Sequence, residues 1–369
     1  MGFFQIIAAV SALFAICYAA PAATDSALKP RATNPYFNTV AQAAGKLWFG
    51  SAIDTSNAEF SDTLYMSIFN DSRIFGQTTP GNTMKWSYTE PSKGVFAFDQ
   101  GDVTIALADA TGKRVRCHTL VWGSQLPSWV SSGSWTYDTL LAAMKNHIQT
   151  EITHFGSSCY SWDVVNEAIN YDGTYTDNVF LQVIGENYVP LAFKYAYEAV
   201  QATGADIKLF YNDYQIERPG TKASTVINKV LRGVQAWNPL WIDGIGMESH
   251  HTTSYYPSVA EVTSVMQSYA NLGLEIHITE LDVACVTAPC TTAELTAQAQ
   301  AYYNTVLACM NTAACKGITI WDFNDKYSWI QPATNGGAGE ACLFYSNYVP
   351  KPAHSAVSDA LQGYSCSVC

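Results

Sequence analysis

The stretch WDVVNEAI, Trp162–Ile169, sets five apolar or aromatic residues around Asp163, Asn166 and Glu167. Such a run reads as a strand, and a carboxylate inside it needs a reason. Burying a charge is costly unless it is paired or hydrogen-bonded. Asp163 and Glu167 are therefore either a structural pair or members of a site whose pKa values are shifted for chemistry.

Working outward, short β-rich apolar runs of the same kind recur along the chain. They are LWFGSAID (47–54), SRIFGQTT (72–79), RVRCHTLVW (114–122), YSWDVVNE (160–167), IKLFYNDY (207–214), IDGIGMESH (242–250), EIHITELDV (275–283) and GITIWDF (317–323). Between most of them lie segments with apolar residues at helical spacing, such as DTLLAAMKNHIQTEITHF (138–155) and TAELTAQAQAYYNTVLACM (292–310). Strand and helix alternating eight times predict an α/β fold, a (β/α)₈ TIM barrel forming a single domain over residues 33–369. The active site of such a barrel is built at the C-terminal ends of its strands. Polar or ionisable residues stand there in run after run: His118 and Trp122, Asn166 and Glu167, Asn212 and Asp213, Glu248 and His250, Glu280 and Asp282.

Residues 1–22 are apolar and end in small residues, which predicts a secretory signal peptide, with a short pro-segment extending to about residue 31. No later segment offers an apolar run of membrane-spanning length, so a secreted, extracellular, non-membrane protein is expected. Cys17 leaves with the signal, and nine cysteines remain. In an oxidising compartment most should pair. Cys285 with Cys290 and Cys309 with Cys315 can close short loops, the terminal CSVC reads as a disulfide, and Cys117 in its apolar strand is the expected free thiol. No CxxC pair stands near a histidine cluster, which argues against zinc. The net charge of −12 with 14% charged residues argues against nucleic acid as a partner. Ten Trp and 22 Tyr suit a carbohydrate site, because aromatic faces stack on sugar rings as well as filling cores. Asn70-Asp71-Ser72 is an N-glycosylation sequon. GGAGE (336–340) follows no predicted strand and opens no helix, so it carries no nucleotide-binding signal.

With these residues in hand, the chain resembles glycoside hydrolase family 10, best known as endo-1,4-β-xylanases. The carriers are NTMKW (82–86), EPSKGVFAFDQGD (90–102), GKRVRCHTLVWGSQLPSWV (112–130), WDVVNEA (162–168), FYNDYQIE (210–217), GIGMESHH (244–251), ITELDV (278–283) and FYSNYVPKPA (344–353). Glycoside hydrolysis needs two carboxyl groups flanking the scissile bond, about 5–5.5 Å apart for retention of configuration. The resemblance implies that Glu167 is the general acid/base and Glu280 the nucleophile. It implies that Asn166 bonds the sugar 2-hydroxyl, and that His250 holds Glu280 ionised with Asp282 behind it. Lys85 and His118 would bond hydroxyls on the glycone side, and Trp321 and Trp329 would wall the cleft. Asn82, Trp122, Gln125, Tyr211 and Glu248 complete the implied set of substrate-binding or supporting residues. Asp163 reads as a buried structural partner, and His251 and His277 as structural or exposed. The family uses no metal or organic cofactor, and none is expected here; a monomer acting on a carbohydrate or glycoside is.

Several positions depart from the family pattern. The family usually reads Glu where this chain has Gly81, His where it has Gly123, Gln where it has Glu248, Gly where it has Asp322 and Asp where it has Tyr327. Gly81 and Gly123 should open the glycone side, with room for a hydroxymethyl group that xylose lacks, and Glu248 should perturb the titration of Glu280. The expected activity is endo-1,4-β-xylanase. The alternatives are a family member acting on a hexose-containing glycoside such as the saponin α-tomatine, as tomatinases do, and a catalytically silent carbohydrate-binding protein.

Overall fold

Each of the eight apolar runs contributes one strand to a closed parallel barrel. The computed structural model describes residues 34–369, so the signal-peptide and pro-segment readings lie outside the described residues. The strands are β1 (Trp48–Ile53), β2 (Gln77–Pro80), β3 (Arg114–Cys117), β4 (Ser161–Asn166), β5 (Lys208–Asp213), β6 (Gly244–Met247), β7 (Glu275–Ala284) and β8 (Cys315–Ile320). They pair in chain order, all parallel, and β8 pairs back on β1, which closes the ring. Every residue of β1 and β4 is buried, as expected of strands covered on both faces.

A helix follows each strand. They are α1 (Thr63–Phe69), α2 (Asp99–Thr111), α3 (Tyr137–Phe155), α4 (Tyr188–Thr203), α5, α6 (Val259–Ala270), α7 (Thr292–Asn311) and α8 (Pro352–Leu361). The run α5 is continuous through Thr221–Thr225, Val226–Leu231 and Arg232–Trp237, with π spacing in its middle part. Reciprocal capping boxes fix where three helices start: Thr136 with Thr139 at α3, Ser258 with Glu261 at α6, and Thr291 with Glu294 at α7.

Strand edges differ from the sequence reading where the chain turns early. Residues 72–76 form the turn before β2, and the third run breaks after Cys117 and resumes only as the two-residue pairing Val121–Trp122. That interruption lets Leu120 donate its backbone N–H to the Asp163 carbonyl, at 2.9 Å.

The barrel interior answers the question raised by Asp163. Its carboxylate takes both arms of the Arg116 guanidinium, with Nε at 2.9 Å, and also accepts from His118 Nδ1 at 3.0 Å. Arg116 in turn bonds His277 Nδ1 at 2.8 Å and lies over the Phe210 ring. Asp163 is thus a fully paired buried charge beneath the site. Gly246 is required at this level, because a Cβ there would run into the Asn212 and Arg116 side chains. His251 is buried against Thr305, and His277 is buried in the Arg116 network.

One cysteine expectation is overturned. Cys117 is not free; it is bonded to Cys159, with Cα atoms 5.7 Å apart. Arg116 and Cys117 pair in register with Ser161 and Trp162, which brings Cys159, just ahead of β4, against β3. Among the described residues the free thiol is the buried Cys342. Cys285–Cys290, Cys309–Cys315 and Cys366–Cys369 are bonded as expected. Asn70 of the sequon is exposed at the C-terminal end of α1. No helix among the described residues is long and apolar enough to cross a membrane.

Candidate active site

The C-terminal ends of the strands open into a cleft of about 780 Å³. Asn82, Lys85, His118, Trp122, Gln125, Asn166, Glu167, Glu248, His250, Glu280, Trp321 and Trp329 all line it. Glu167 follows the last residue of β4, and its backbone lies in the left-handed region (φ 53°), turning the chain out of the strand. Its N–H is held by the Asn212 carbonyl at 3.0 Å. Glu280 sits within β7, and its N–H is held by the Glu248 carbonyl at 3.1 Å. Two carboxyl groups 113 residues apart in the chain thereby line one cleft.

Their surroundings drive them in opposite directions. Burial and the charge of Asp213 push the Glu167 carboxyl up to about 6, although the Trp122 indole N–H, donating to its Oε2 at 2.9 Å, pulls the other way. Burial would also raise Glu280, but the imidazole of His250 and the charge of His118 outweigh it and hold this carboxyl below its usual range. His250 Nε2 lies 3.3 Å from Glu280 Oε2, and its Nδ1 lies 2.9 Å from Asp282 Oδ1. Although burial opposes its charge, the carboxylates of Asp282 and Glu280 hold the imidazole protonated well above the usual histidine range. Asp282 is anchored from its far side by the Trp329 indole, at 2.8 Å.

Asn212 is the hub of the site. Its Oδ1 accepts from Thr279 at 2.7 Å, which orients the amide. Its Nδ2 then faces three acceptors, Asn166 Oδ1 at 2.9 Å, Glu248 Oε1 at 3.0 Å and Glu280 Oε1 at 2.9 Å. An amide nitrogen carries only two protons, so the group is short of one donor unless a carboxyl keeps its own proton. Glu248 is that carboxyl: burial and the neighbouring charges of Glu280, Glu167 and Asp213 raise it well above its usual range.

Elsewhere in the cleft lining, Asn82 bonds Asp54 and accepts from Lys85 Nζ at 3.2 Å and Gln125 Nε2 at 3.3 Å, with Lys85 over the Trp122 ring. Burial lowers the Lys85 ammonium pKa. Asp54, Asn57, Glu59 and Asp322 line the cleft too. Burial and the charge of Asp322 push Glu59 up to about 9, and burial raises Asp322 to about 7. Asp322 occupies a left-handed backbone (φ 69°), which explains why glycine is at ease at this position. Tyr327 lines the cleft with its hydroxyl on Asp62, at 2.8 Å.

Two sequence expectations need correction. Tyr211 does not reach the cleft: it is fully buried, with its hydroxyl on Asp213 and its oxygen accepting from the Ala168 N–H. Strand alternation turns Asn212 into the barrel and Tyr211 out of it. Gly123 does not open the glycone side either, since it lies outside the cleft lining and a Cβ there would meet Asn178 at 3.1 Å. Gly81 does line the cleft, with Asp54 the nearest side chain, at 3.6 Å, to any Cβ placed there. Sequence reasoning missed Asp54, Glu59 and Tyr214 as cleft residues, although Asp54 ends the first apolar run, where the barrel rule points.

The chain matches the profile described as Glycosyl hydrolase family 10 over residues 37–360. It is 47% identical over 330 residues to endo-1,4-beta-xylanase D of Talaromyces funiculosus, covering 89% of this chain and 78% of that protein. Among solved structures, the Penicillium canescens endo-1,4-beta-xylanase XylE superposes with a TM-score of 0.87 at 46% identity, covering 90% of this chain and 99% of the other. A family 10 xylanase from Bispora sp. MEY-1, solved with xylobiose, gives 0.84 at 42% identity, covering 88% and 99%. With a likeness that runs through every strand of the barrel, the chain belongs to glycosyl hydrolase family 10.

Proposed function

We propose that this chain is an exported retaining hydrolase of β-1,4-xylan, with Glu167 as general acid/base and Glu280 as nucleophile. The observation that carries the reading is the opposed state of two carboxyls in one cleft: Glu167 is raised to about 6, and Glu280 is held ionised beside His250. A raised carboxyl is suited to protonating a leaving oxygen and an ionised one to attacking the anomeric carbon.

In the first step the Glu280 carboxylate forms a bond to the anomeric carbon as the glycosidic bond breaks, and the Glu167 proton goes to the departing oxygen. In the second step ionised Glu167 takes a proton from water, whose oxygen displaces Glu280. Two displacements at one carbon retain its configuration. Asn166, fixed by Asn212, lines the cleft beside Glu167, where it can bond the 2-hydroxyl as charge develops. His250 and Asp282 orient the nucleophile, while Lys85, Asn82 and Gln125 take hydroxyls elsewhere in the cleft.

A second reading, a hexose-bearing glycoside as substrate, is favoured by Gly81. That position lines the cleft without a side chain, next to Asp54, and the carboxyls of Glu59 and Asp322 line the same cleft. Proton NMR of xylan hydrolysis in progress tests the main proposal: the first-formed reducing ends should be the β anomer. First-formed α product would exclude a retaining mechanism, and no reducing ends from xylan alongside cleavage of a hexoside would favour the second reading.

A further inference from the structure

The residue that departs from the family pattern beside the nucleophile creates an arrangement with a second chemical capability. Glu248, His250 and Glu280 present one ligand atom each, all within 4.8 Å of one another. His250 Nε2 lies 3.3 Å from Glu280 Oε2 and 3.8 Å from Glu248 Oε2. Ligands on a tetrahedral zinc, each about 2.1 Å from the ion, stand about 3.4 Å apart.

Two features of this gap suit an ion. The Glu248 side chain is 1% exposed; Asn212 holds its Oε1 at 3.0 Å, which leaves Oε2, with no hydrogen bond among the described residues, directed at His250 Nε2 at 3.8 Å. Behind the imidazole, Asp282 bonds Nδ1 at 2.9 Å and is itself held by Trp329. A carboxylate on the far nitrogen of a histidine is the outer-shell device that orients metal-bound imidazoles and raises their basicity. Glutamine at position 248 would offer a neutral amide, whereas glutamate can give up its proton to an incoming cation and become a second carboxylate ligand.

We propose that Glu248, His250 and Glu280 form a binding site for a borderline divalent transition metal, Zn²⁺ being the type, whose occupancy blocks the cleft. Two oxygens and one imidazole nitrogen suit Zn²⁺, and they leave a fourth position open to water from the cleft. Ca²⁺ and Mg²⁺ prefer all-oxygen sites of higher coordination number or more retained water, and do not compete. The ion displaces the proton on Nε2 and the proton of the Glu248 carboxyl, both released to water, and occupies the Glu280 oxygen that would attack substrate. The metal is an inhibitor here and takes no part in hydrolysis.

The test is isothermal titration of Zn²⁺ into the untagged secreted chain, which reads binding whatever the substrate proves to be. One saturable site per chain is expected, with no comparable heat from Mg²⁺ or Ca²⁺. Asp282→Asn should weaken it about 10- to 100-fold, and Glu248→Gln, which removes a ligand outright, by at least as much. Thermal unfolding of each variant verifies that it is folded. Zn²⁺ bound equally by wild type and Glu248→Gln, or no saturable site, would overturn the proposal. A second arm needs no variant: on the wild type, Zn²⁺ should inhibit competitively against substrate and be reversed by a chelator, and inhibition independent of substrate concentration would place the ion elsewhere.

Discussion

Replacing Trp122 with Phe removes the one indole N–H that reaches Glu167, at 2.9 Å, while keeping an aromatic ring under Lys85. That bond favours ionised Glu167, so its loss raises the carboxyl above its present value of about 6. A hydrogen bond to a charged group is worth about 1.5–3 kcal/mol, or about one to two pKa units. Trp122 is only half-buried and water can take its place, so we expect the lower figure and a carboxyl near 7. The acid works protonated, and activity is lost as pH rises through its pKa. At pH 7 the protonated fraction therefore rises from about a tenth to about a half, about fivefold. The assay is kcat/KM against pH, whose alkaline limb reports the acid in the free enzyme. The absolute rate can fall through looser positioning, but the midpoint of the limb should move up by about one unit. A limb that stays in place, or moves to lower pH, would refute the role given to this contact.

Glu167→Ala should spare substrates with activated leaving groups in the first chemical step, because such groups need no proton, while natural glycosides suffer by about 10²- to 10⁴-fold. Equal losses on both would remove Glu167 from the acid role. Gly81→Glu combined with Glu248→Gln should raise kcat/KM on xylo-oligosaccharides relative to a matched hexoside by roughly tenfold to a hundredfold, since each restores a polar partner at the sugar. An unchanged ratio would make these two positions neutral. Glu151, buried on α3, is pushed up by burial from 4.5 to about 8, so the folded state binds this proton more tightly than the unfolded chain. Stability is then lost as pH rises between those values, and Glu151→Gln should gain more in Tm at pH 8 than at pH 5. Equal gains at both pH values would contradict the shift.

The barrel was legible because most strands lie in apolar β-rich runs with polar residues near their C-terminal ends, and local pattern carries that information, although β2 (QTTP) and β3 (RVRC) are themselves only partly apolar. Glu167 closes its run, but Glu280 lies inside β7, and the roles of both came from the resemblance to family 10. What local pattern cannot carry is register. Whether Cys117 meets Cys159 depends on how β3 aligns with β4. Tyr211 and Asn212 differ only in which face of β5 they occupy, and that face decides which one holds the site together. Gly123 was misread because an absent side chain reveals nothing of its neighbours, which here are Asn178 and not the cleft. Asp163 was understood as structural, yet its partners Arg116 and His118 come from β3 and the segment following it, and Arg116 is itself held by His277 of β7. Asp54 and Glu59 stand five residues apart in unremarkable surroundings, and only closure of β1 against β2 and β8 brings them to the cleft beside Asp322.

The central claim is that Glu280 forms a covalent bond to the sugar while Glu248, its close carboxyl neighbour, does not. A 2-deoxy-2-fluoro glycoside with an activated leaving group slows breakdown of the glycosyl–enzyme more than its formation, so the intermediate can accumulate and be mapped by peptide mass spectrometry. The account predicts a single stoichiometric label on Glu280, in the peptide carrying ITELDV (278–283). A label on Glu248 or Glu167, or rapid inactivation with no label on β7, would contradict it.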